Sequence, residues 1–152
     1  SLLIGIDDYH RSSRFPKLKG CVSDAINVRN FLVKDLLVSE DRIKTLLNHE
    51  ATHEGIITAV KNLALDSSIA KGDPILIYFA GHGSTVTSPP EWTGGPKIQV
   101  LVPYDGNADD GAGTNLIPDF QFGRLLREIA SRKGDNITVV LDCCHAASGT
   151  RG

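Results

Sequence analysis

The chain has 152 residues, of which 41% are hydrophobic and 22% charged, and its net charge is 16 − 18 = −2. This composition predicts one globular domain and excludes a disordered acidic tail or a coiled coil. The charge argues against nucleic acid as the main partner, and no apolar run approaches the roughly 20 residues of a membrane span. Three cysteines (Cys21, Cys143 and Cys144) are too few for a disulfide framework, so we expect thiols in a reducing compartment, the cytoplasm.

Apolar periodicity predicts strands and helices that alternate through the first half of the chain. A buried strand is predicted at residues 2–6, and because it starts so early we expect the natural N-terminus to lie further upstream. Helical spacing follows over residues 24–37, with Ser23 or Asp24 as the N-cap. A second strand is predicted at residues 42–47, and a second helical face is then formed by Ile56, Val60, Leu63 and Ala64.

The second half continues the same alternation. Ile75–Ala80 is the strongest strand signal, and the Pro- and Gly-rich stretch at 84–97 is predicted to be a long loop. A short strand at 98–102, a helix through Phe122 and Ile129 and a buried strand at 137–141 complete the pattern. Continuous apolar strands between helices predict a three-layer α/β/α sandwich with a mostly parallel sheet, as one domain over residues 1–152.

Residues capable of nucleophilic chemistry follow two of the predicted strands. His82 stands between two glycines after Ile75–Ala80, and Cys144 comes shortly after the strand at 137–141. Sites in open α/β sheets form at the carboxyl ends of strands, so the pair is suited to a cysteine nucleophile with a histidine partner. Taken singly, however, such a histidine is more often a turn residue and such a cysteine a small buried hydrophobe.

Four segments in order along the chain carry a resemblance. They read I-G-I-D-D-Y at 4–9, L-K-G-C-V-S-D-A at 18–25, Y-F-A-G-H-G at 78–83 and D-C-C-H at 142–145. Together they resemble motifs of the caspase-like cysteine peptidases, and within them the metacaspases. The resemblance covers nearly the whole chain. The chain is similar to the large subunit of these peptidases alone. The resemblance therefore implies a separate C-terminal small subunit that supplies further strands.

The resemblance implies a cysteine endopeptidase that needs no cofactor for its chemistry. Cys144 would attack the scissile carbonyl as a thiolate, and His82 would protonate the leaving amine. The backbone N–H groups of Gly83 and Cys144 would form the oxyanion hole. Cys143 is expected to point into the core.

The resemblance also implies a pocket for the substrate residue before the scissile bond. Its members would be Cys21, Asp24, Ala80 and Asp142. Carboxylates at Asp24 and Asp142 would select Arg or Lys in a protein or peptide substrate. The alternative is that Asp24 is only a helix cap and Asp142 a loop anchor, and that the peptidase has another preference at this position.

Calcium activation is a further expectation drawn from the resemblance. The matching acidic residues are Asp105 and Asp119, but a neighbouring acidic position is occupied by Phe120. Asp109 and Asp110 lie several residues earlier. Because calcium requires six to eight oxygen ligands, we expect weak binding.

Two other functions remain open from the sequence. One is a non-catalytic caspase-like module that serves as an interaction scaffold. The other is an unrelated α/β binding domain in which His82 and Cys144 are structural. The presence of both residues disfavours the scaffold, and the four ordered motifs disfavour the unrelated domain.

Overall fold

A computed structural model describes residues 1–13, 15–87, 97–107 and 114–143. These residues form strands and α-helices that alternate along most of the chain. They are β1 (Leu2–Gly5), α1 (Cys21–Lys34), β2 (Lys44–Leu47), α2 (His53–Leu65), β3 (Ile75–Ala80), β4 (Gly83–Thr87), β5 (Lys97–Leu101), β6 (Ile117–Pro118), α3 (Asp119–Lys133) and β7 (Ile137–Asp142). No helix in this described part is long and apolar enough to cross a membrane.

The main sheet has four parallel strands in the order β2-β1-β3-β7. Successive residues of β1 point to opposite faces, as strand geometry requires. Leu2 and Ile4 pack into the larger core with α2 and α3, whereas Leu3 packs with Ala25 and Leu32 of α1. Helices therefore cover both faces, and the predicted three-layer α/β/α sandwich with a mostly parallel sheet is confirmed.

Helix α1 lies unusually close to β1 because β1 ends in a glycine. A Cβ added at Gly5 would stand 2.6 Å from the carbonyl oxygen of Cys21 and 2.9 Å from the Cβ of Ala25. Only a residue without a side chain allows this approach. The contact brings the first turn of α1 against the end of β1.

The predicted N-cap of α1 was wrong. The helix begins at Cys21 rather than near residue 24, and neither Ser23 nor Asp24 caps it. Its free N–H groups are instead satisfied by Asp7, which follows β1. The carboxylate oxygens of Asp7 accept from the backbone N–H of Cys21 at 2.9 Å and of Val22 at 3.3 Å. An anion at this end is also favoured by the helix dipole.

A second sheet, antiparallel and in the order β4-β5-β6, was not predicted. The expected loop at 84–97 is wrong for residues 84–87, which belong to β4, and residues 88–96 lie outside the described residues. Ser84 to Thr87 include β-branched Thr85, Val86 and Thr87, which favour a strand, but the Pro- and Gly-rich stretch beyond them dominated the pattern. The first strand of this sheet begins at Gly83, directly after His82.

Candidate active site

His82 lies just beyond the carboxyl end of β3 and is 8% exposed. Its Nε2 is 2.8 Å from the carbonyl oxygen of Pro16. A carbonyl oxygen can only accept a hydrogen bond, so Nε2 carries the hydrogen and donates it. In the neutral ring the other nitrogen, Nδ1, is then the one that can accept a proton.

Two aromatic rings fix the plane of this imidazole. The ring of Tyr9 lies 5.0 Å from the His82 ring and the ring of Phe15 lies 5.5 Å from it, both tilted. The Tyr9 hydroxyl oxygen also accepts a hydrogen bond of 2.7 Å from the backbone N–H of His82. The histidine is therefore held through its ring and through its backbone.

The other half of the site follows β7, the neighbour of β3. In their parallel register Ala80 pairs with Asp142, and the backbone N–H of Gly81 donates to the carbonyl of Asp142 at 3.3 Å. His82 stands two residues beyond Ala80, and Cys144 stands two residues beyond Asp142. Cys144 itself lies outside the described residues. Cys143 packs against the larger core, as expected.

Gly83, the predicted oxyanion donor within the described chain, is the first residue of β4. It pairs with Leu101 of β5, and the backbone N–H of Val102 donates to the carbonyl of His82 at 3.0 Å. In an antiparallel ladder, that bond places Gly83 in a non-hydrogen-bonded pair, with its N–H directed away from β5. The ladder thus leaves the Gly83 N–H unused by the neighbouring strand.

The four predicted pocket residues come together beside α1. Cys21 packs against the core cluster that contains Ala80, which the register places next to Asp142. Asp24 lies in the first turn of α1 and, like Asp142, is exposed. These residues therefore place the packed side chains of Cys21 and Ala80 beside carboxylates that reach solvent.

Two raised pKa values report how close these acidic groups are. Burial, followed by the neighbouring carboxylates of Asp7, Asp142 and Asp24, raises the pKa of the Cys21 thiol to about 11. Burial, followed by Asp142, raises the pKa of Tyr78 to about 12. The Tyr78 hydroxyl donates to a carboxylate oxygen of Asp142 at 3.2 Å. The acidic groups of Asp7, Asp24 and Asp142 thus lie close enough together to act on the same thiol.

Sequence reasoning missed five residues of the site: Asp7, Tyr9, Phe15, Pro16 and Tyr78. For Tyr9 the signal was its place at the exit of β1, and for Tyr78 it was its position two residues before Ala80 on the same face of β3. Pro16 acts through its backbone carbonyl, so no property of its side chain could indicate the contact.

The predicted calcium ligands are already engaged in hydrogen bonds. The carboxylate of Asp105 accepts from the backbone N–H of His53 at 2.7 Å and from the side-chain amide of Asn115 at 3.1 Å. Asp119 accepts from the backbone N–H of Phe120 at 2.6 Å. No three His, Cys, Asp or Glu side chains in the described ranges are grouped so that they could hold a metal ion. The described residues thus offer calcium fewer than three grouped carboxylates, and Asp109 and Asp110 lie outside them.

A histidine and a cysteine that follow two adjacent parallel strands, in an α/β/α sandwich, define the class of caspase-like cysteine peptidases. Within that class, the family model described as metacaspase, peptidase C14 domain, matches residues 1–150. The chain therefore belongs to the metacaspase family.

Individual relatives agree with this assignment. The chain is 32% identical to metacaspase-5 of Trypanosoma brucei brucei over 160 residues, covering 97% of this chain and 29% of that protein. It is 30% identical to metacaspase-7 of Arabidopsis thaliana over 155 residues, covering 96% of this chain and 34% of the relative. The chain spans about a third of the length of the curated relatives it matches.

A solved structure supports the fold. The crystal structure of a protein from Geobacter sulfurreducens matches with a TM-score of 0.70 and 19% sequence identity. The match covers 97% of this chain and 50% of that protein. At this identity the likeness concerns the fold alone.

Proposed function

We propose that the protein is a cysteine endopeptidase in which Cys144 is the nucleophile and His82 the acid–base partner. The observation that carries the proposal is the fixed imidazole of His82, whose Nε2–H is taken by the Pro16 carbonyl. The assignment of Cys144 is supported by the β3–β7 register, whose last pair is Ala80 and Asp142. His82 and Cys144 each stand two residues beyond that pair.

In the proposed reaction the Cys144 thiol passes its proton to Nδ1 of His82, and the resulting thiolate sulfur forms a bond to the scissile carbonyl carbon. His82 then gives a proton to the leaving amine as the C–N bond breaks. Water hydrolyses the resulting thioester, with His82 accepting a proton from that water, and the thiolate is released. The Gly83 and Cys144 N–H groups would stabilise the oxyanion, where the loss of one donor typically costs about 10²–10³ in rate.

The test uses the full-length protein and a peptide that carries a thiol-reactive electrophile. We expect Cys144→Ala to abolish both labelling and peptide hydrolysis, whereas Cys143→Ala keeps both. His82→Ala should slow both steps by several orders of magnitude. Undiminished hydrolysis in Cys144→Ala would refute the dyad, and a well-folded wild-type protein without turnover would favour the scaffold function.

We further propose that the enzyme cleaves after Arg or Lys. Support comes from the acidic pocket, in which Asp24 and Asp142 are exposed and Tyr78 orients a carboxylate oxygen of Asp142. A guanidinium forms two parallel charge-assisted hydrogen bonds with a carboxylate. Arg, Lys and Asp reporter peptides test the preference. Asp142→Asn should raise KM for the Arg peptide at least tenfold, and Asp135→Asn, at the opposite end of β7, serves as the control.

A C-terminal small subunit is proposed as the partner of β7. No described strand pairs with the outer edge of β7, and Val140 and Leu141 are 41% and 47% exposed. The chain matches only about a third of the length of these relatives, which supports a further segment that would cover this face. Hydrogen exchange in the full-length protein should show protection of alternate β7 amides on that edge. Rapid exchange along the whole edge would contradict the pairing.

Weak calcium binding at Asp105 and Asp119 stays a separate proposal. Because Asp105 holds the start of α2 through His53, calcium would have to compete with that hydrogen bond. We expect activation only at high calcium concentration, and loss of that activation in Asp105→Ala but not in Asp135→Ala. Full activity in chelator, unchanged by Asp105→Ala, would contradict it.

A further inference from the structure

Tyr9 makes two different contacts with the same histidine. Its hydroxyl oxygen accepts from the His82 backbone N–H at 2.7 Å, and its ring lies 5.0 Å from the imidazole. The contact joins residues 73 positions apart in the sequence. Because His82 is 8% exposed, solvent does not readily replace the hydroxyl as the acceptor.

The surroundings of Tyr9 leave its side chain little freedom. Its ring packs against both the larger core and the core beneath the antiparallel sheet. Its neighbour His10 donates its backbone N–H to the carbonyl of Tyr104 at 2.8 Å, which anchors the segment. Burial raises the pKa of Tyr9, which keeps the phenol neutral at physiological pH.

Gly81, the residue before His82, leaves the space in which the Tyr9 hydroxyl lies. A Cβ at Gly81 would stand 3.1 Å from the Tyr9 hydroxyl and 3.2 Å from the ring of Phe79. The glycine before the histidine therefore leaves room for the tyrosine hydroxyl to reach the backbone. This gives a physical reason for a small residue between β3 and His82.

We infer that Tyr9 is a positioning residue for His82, holding its backbone and ring so that Nδ1 keeps one orientation for catalysis. The inference rests on the proposed cysteine peptidase function. The Pro16 carbonyl fixes only one ring nitrogen, about which the imidazole can still swing. The hydroxyl of Tyr9 fixes the backbone from which the ring extends, and the two rings fix the plane.

The test compares Tyr9→Phe with Tyr104→Phe in the full-length protein. Tyr9→Phe keeps the ring and removes only the acceptor, whereas Tyr104 contacts His10 rather than His82. Misplacement of a reacting group by about 1 Å costs up to about 10²-fold in rate. We expect Tyr9→Phe to lower kcat by about 10-fold to 100-fold with KM within about twofold, and Tyr104→Phe to leave both unchanged.

A second readout does not depend on peptidase activity. In protein labelled with ¹⁵N-histidine, wild-type His82 should show a single Nε2–H tautomer, and Tyr9→Phe should shift or broaden these signals. Unchanged His82 signals in Tyr9→Phe overturn the inference whatever the activity. A fall in kcat that Tyr104→Phe shares also overturns it. Absence of turnover in wild type refutes the proposed function, while the NMR comparison still decides the role of Tyr9.

Discussion

The two strands that carry the candidate site differ sharply in their surroundings. The first, β3, lies between β1 and β7 and is buried along almost its entire length, and the histidine beyond it is held by Tyr9, Phe15 and Pro16. The second, β7, is the outermost described strand, and most of its residues are exposed. The contacts that hold the histidine are thus all made by described residues, whereas no described strand covers the outer edge of β7.

The largest expected effect compares two partners in the β3–β7 register, Phe79 and Leu141. Phe79 is 1% exposed and Leu141 is 47% exposed. In the 152-residue chain, Phe79→Ala should lower the free energy of unfolding by about 4 kcal/mol, and Leu141→Ala by about 0.5 kcal/mol. Urea unfolding measures both. Equal losses of stability in the two variants would show that β3 and β7 are equally well packed. A larger loss for Leu141→Ala in the full-length protein would show that β7 becomes covered.

The next largest loss of stability is expected at the contact between α1 and the end of β1, which places the acidic pocket. Gly5→Ala should lower the free energy of unfolding by about 3 kcal/mol, because its Cβ would meet backbone atoms of α1 that cannot move aside. Gly123→Ala is the control. This glycine lies inside α3, where an added Cβ comes only within 3.6 Å of the end of Arg127, so we expect about 1 kcal/mol of stabilisation. Thermal unfolding that shows equal stability for Gly5→Ala and wild type would contradict the close packing.

A smaller change in stability is expected beyond the C-terminal end of α1, away from His82 and from β7. Leu37 adopts φ 54°, in the left-handed region, and is 83% exposed. Leu37→Gly should therefore stabilise the fold by about 1 kcal/mol. Leu65→Gly, at the exposed last residue of α2, should instead destabilise by about that amount. A loss of stability in Leu37→Gly would mean that the side chain makes a contact of its own.

The smallest expected effect is a dependence of folding stability on pH, which arises from Cys21 in the predicted pocket. Folding raises the pKa of Cys21 from 9.0 to about 11, so it favours the protonated thiol. That contribution to stability is complete below pH 9 and is lost as pH rises from 9 towards 11. Because the thiol is only partly buried, the loss should stay below about 1 kcal/mol.

Denaturation between pH 8 and pH 11 measures this loss, with Cys21→Ala as the comparison. The variant should lose less stability than wild type between pH 9 and pH 11. Tyr78→Phe should change the stability only above about pH 10, since folding raises the pKa of Tyr78 from 10.0 to about 12. Parallel curves for wild type and Cys21→Ala would show that the thiol is solvated.

Much of the fold could be predicted because it depends on local patterns. Apolar runs gave the parallel strands, and the order of strands and helices gave the layers. His82 was found because it stands between glycines at the end of the strongest strand.

The remainder depends on contacts between residues that are distant in the chain. Asp7 caps α1 across 14 positions, and Tyr9 meets His82 across 73. Neither residue differs in sequence from an ordinary polar or aromatic residue of a loop. β4 was missed because its β-branched residues run directly into a Pro- and Gly-rich stretch. Its strand is stabilised by pairing with β5, which single-sequence periodicity does not detect.

The outer edge of β7, which no described strand pairs, also has a consequence for self-association. Ile137–Asp142 contains four successive residues that are β-branched and no proline, and one row of its backbone N–H and C=O groups has no partner among the described strands. Such an edge is a template on which another copy of the same strand can pair. The 152-residue chain should therefore aggregate through β7 as its concentration rises. Substituting Lys for the exposed Val140 should suppress that aggregation while leaving the contacts of His82 intact.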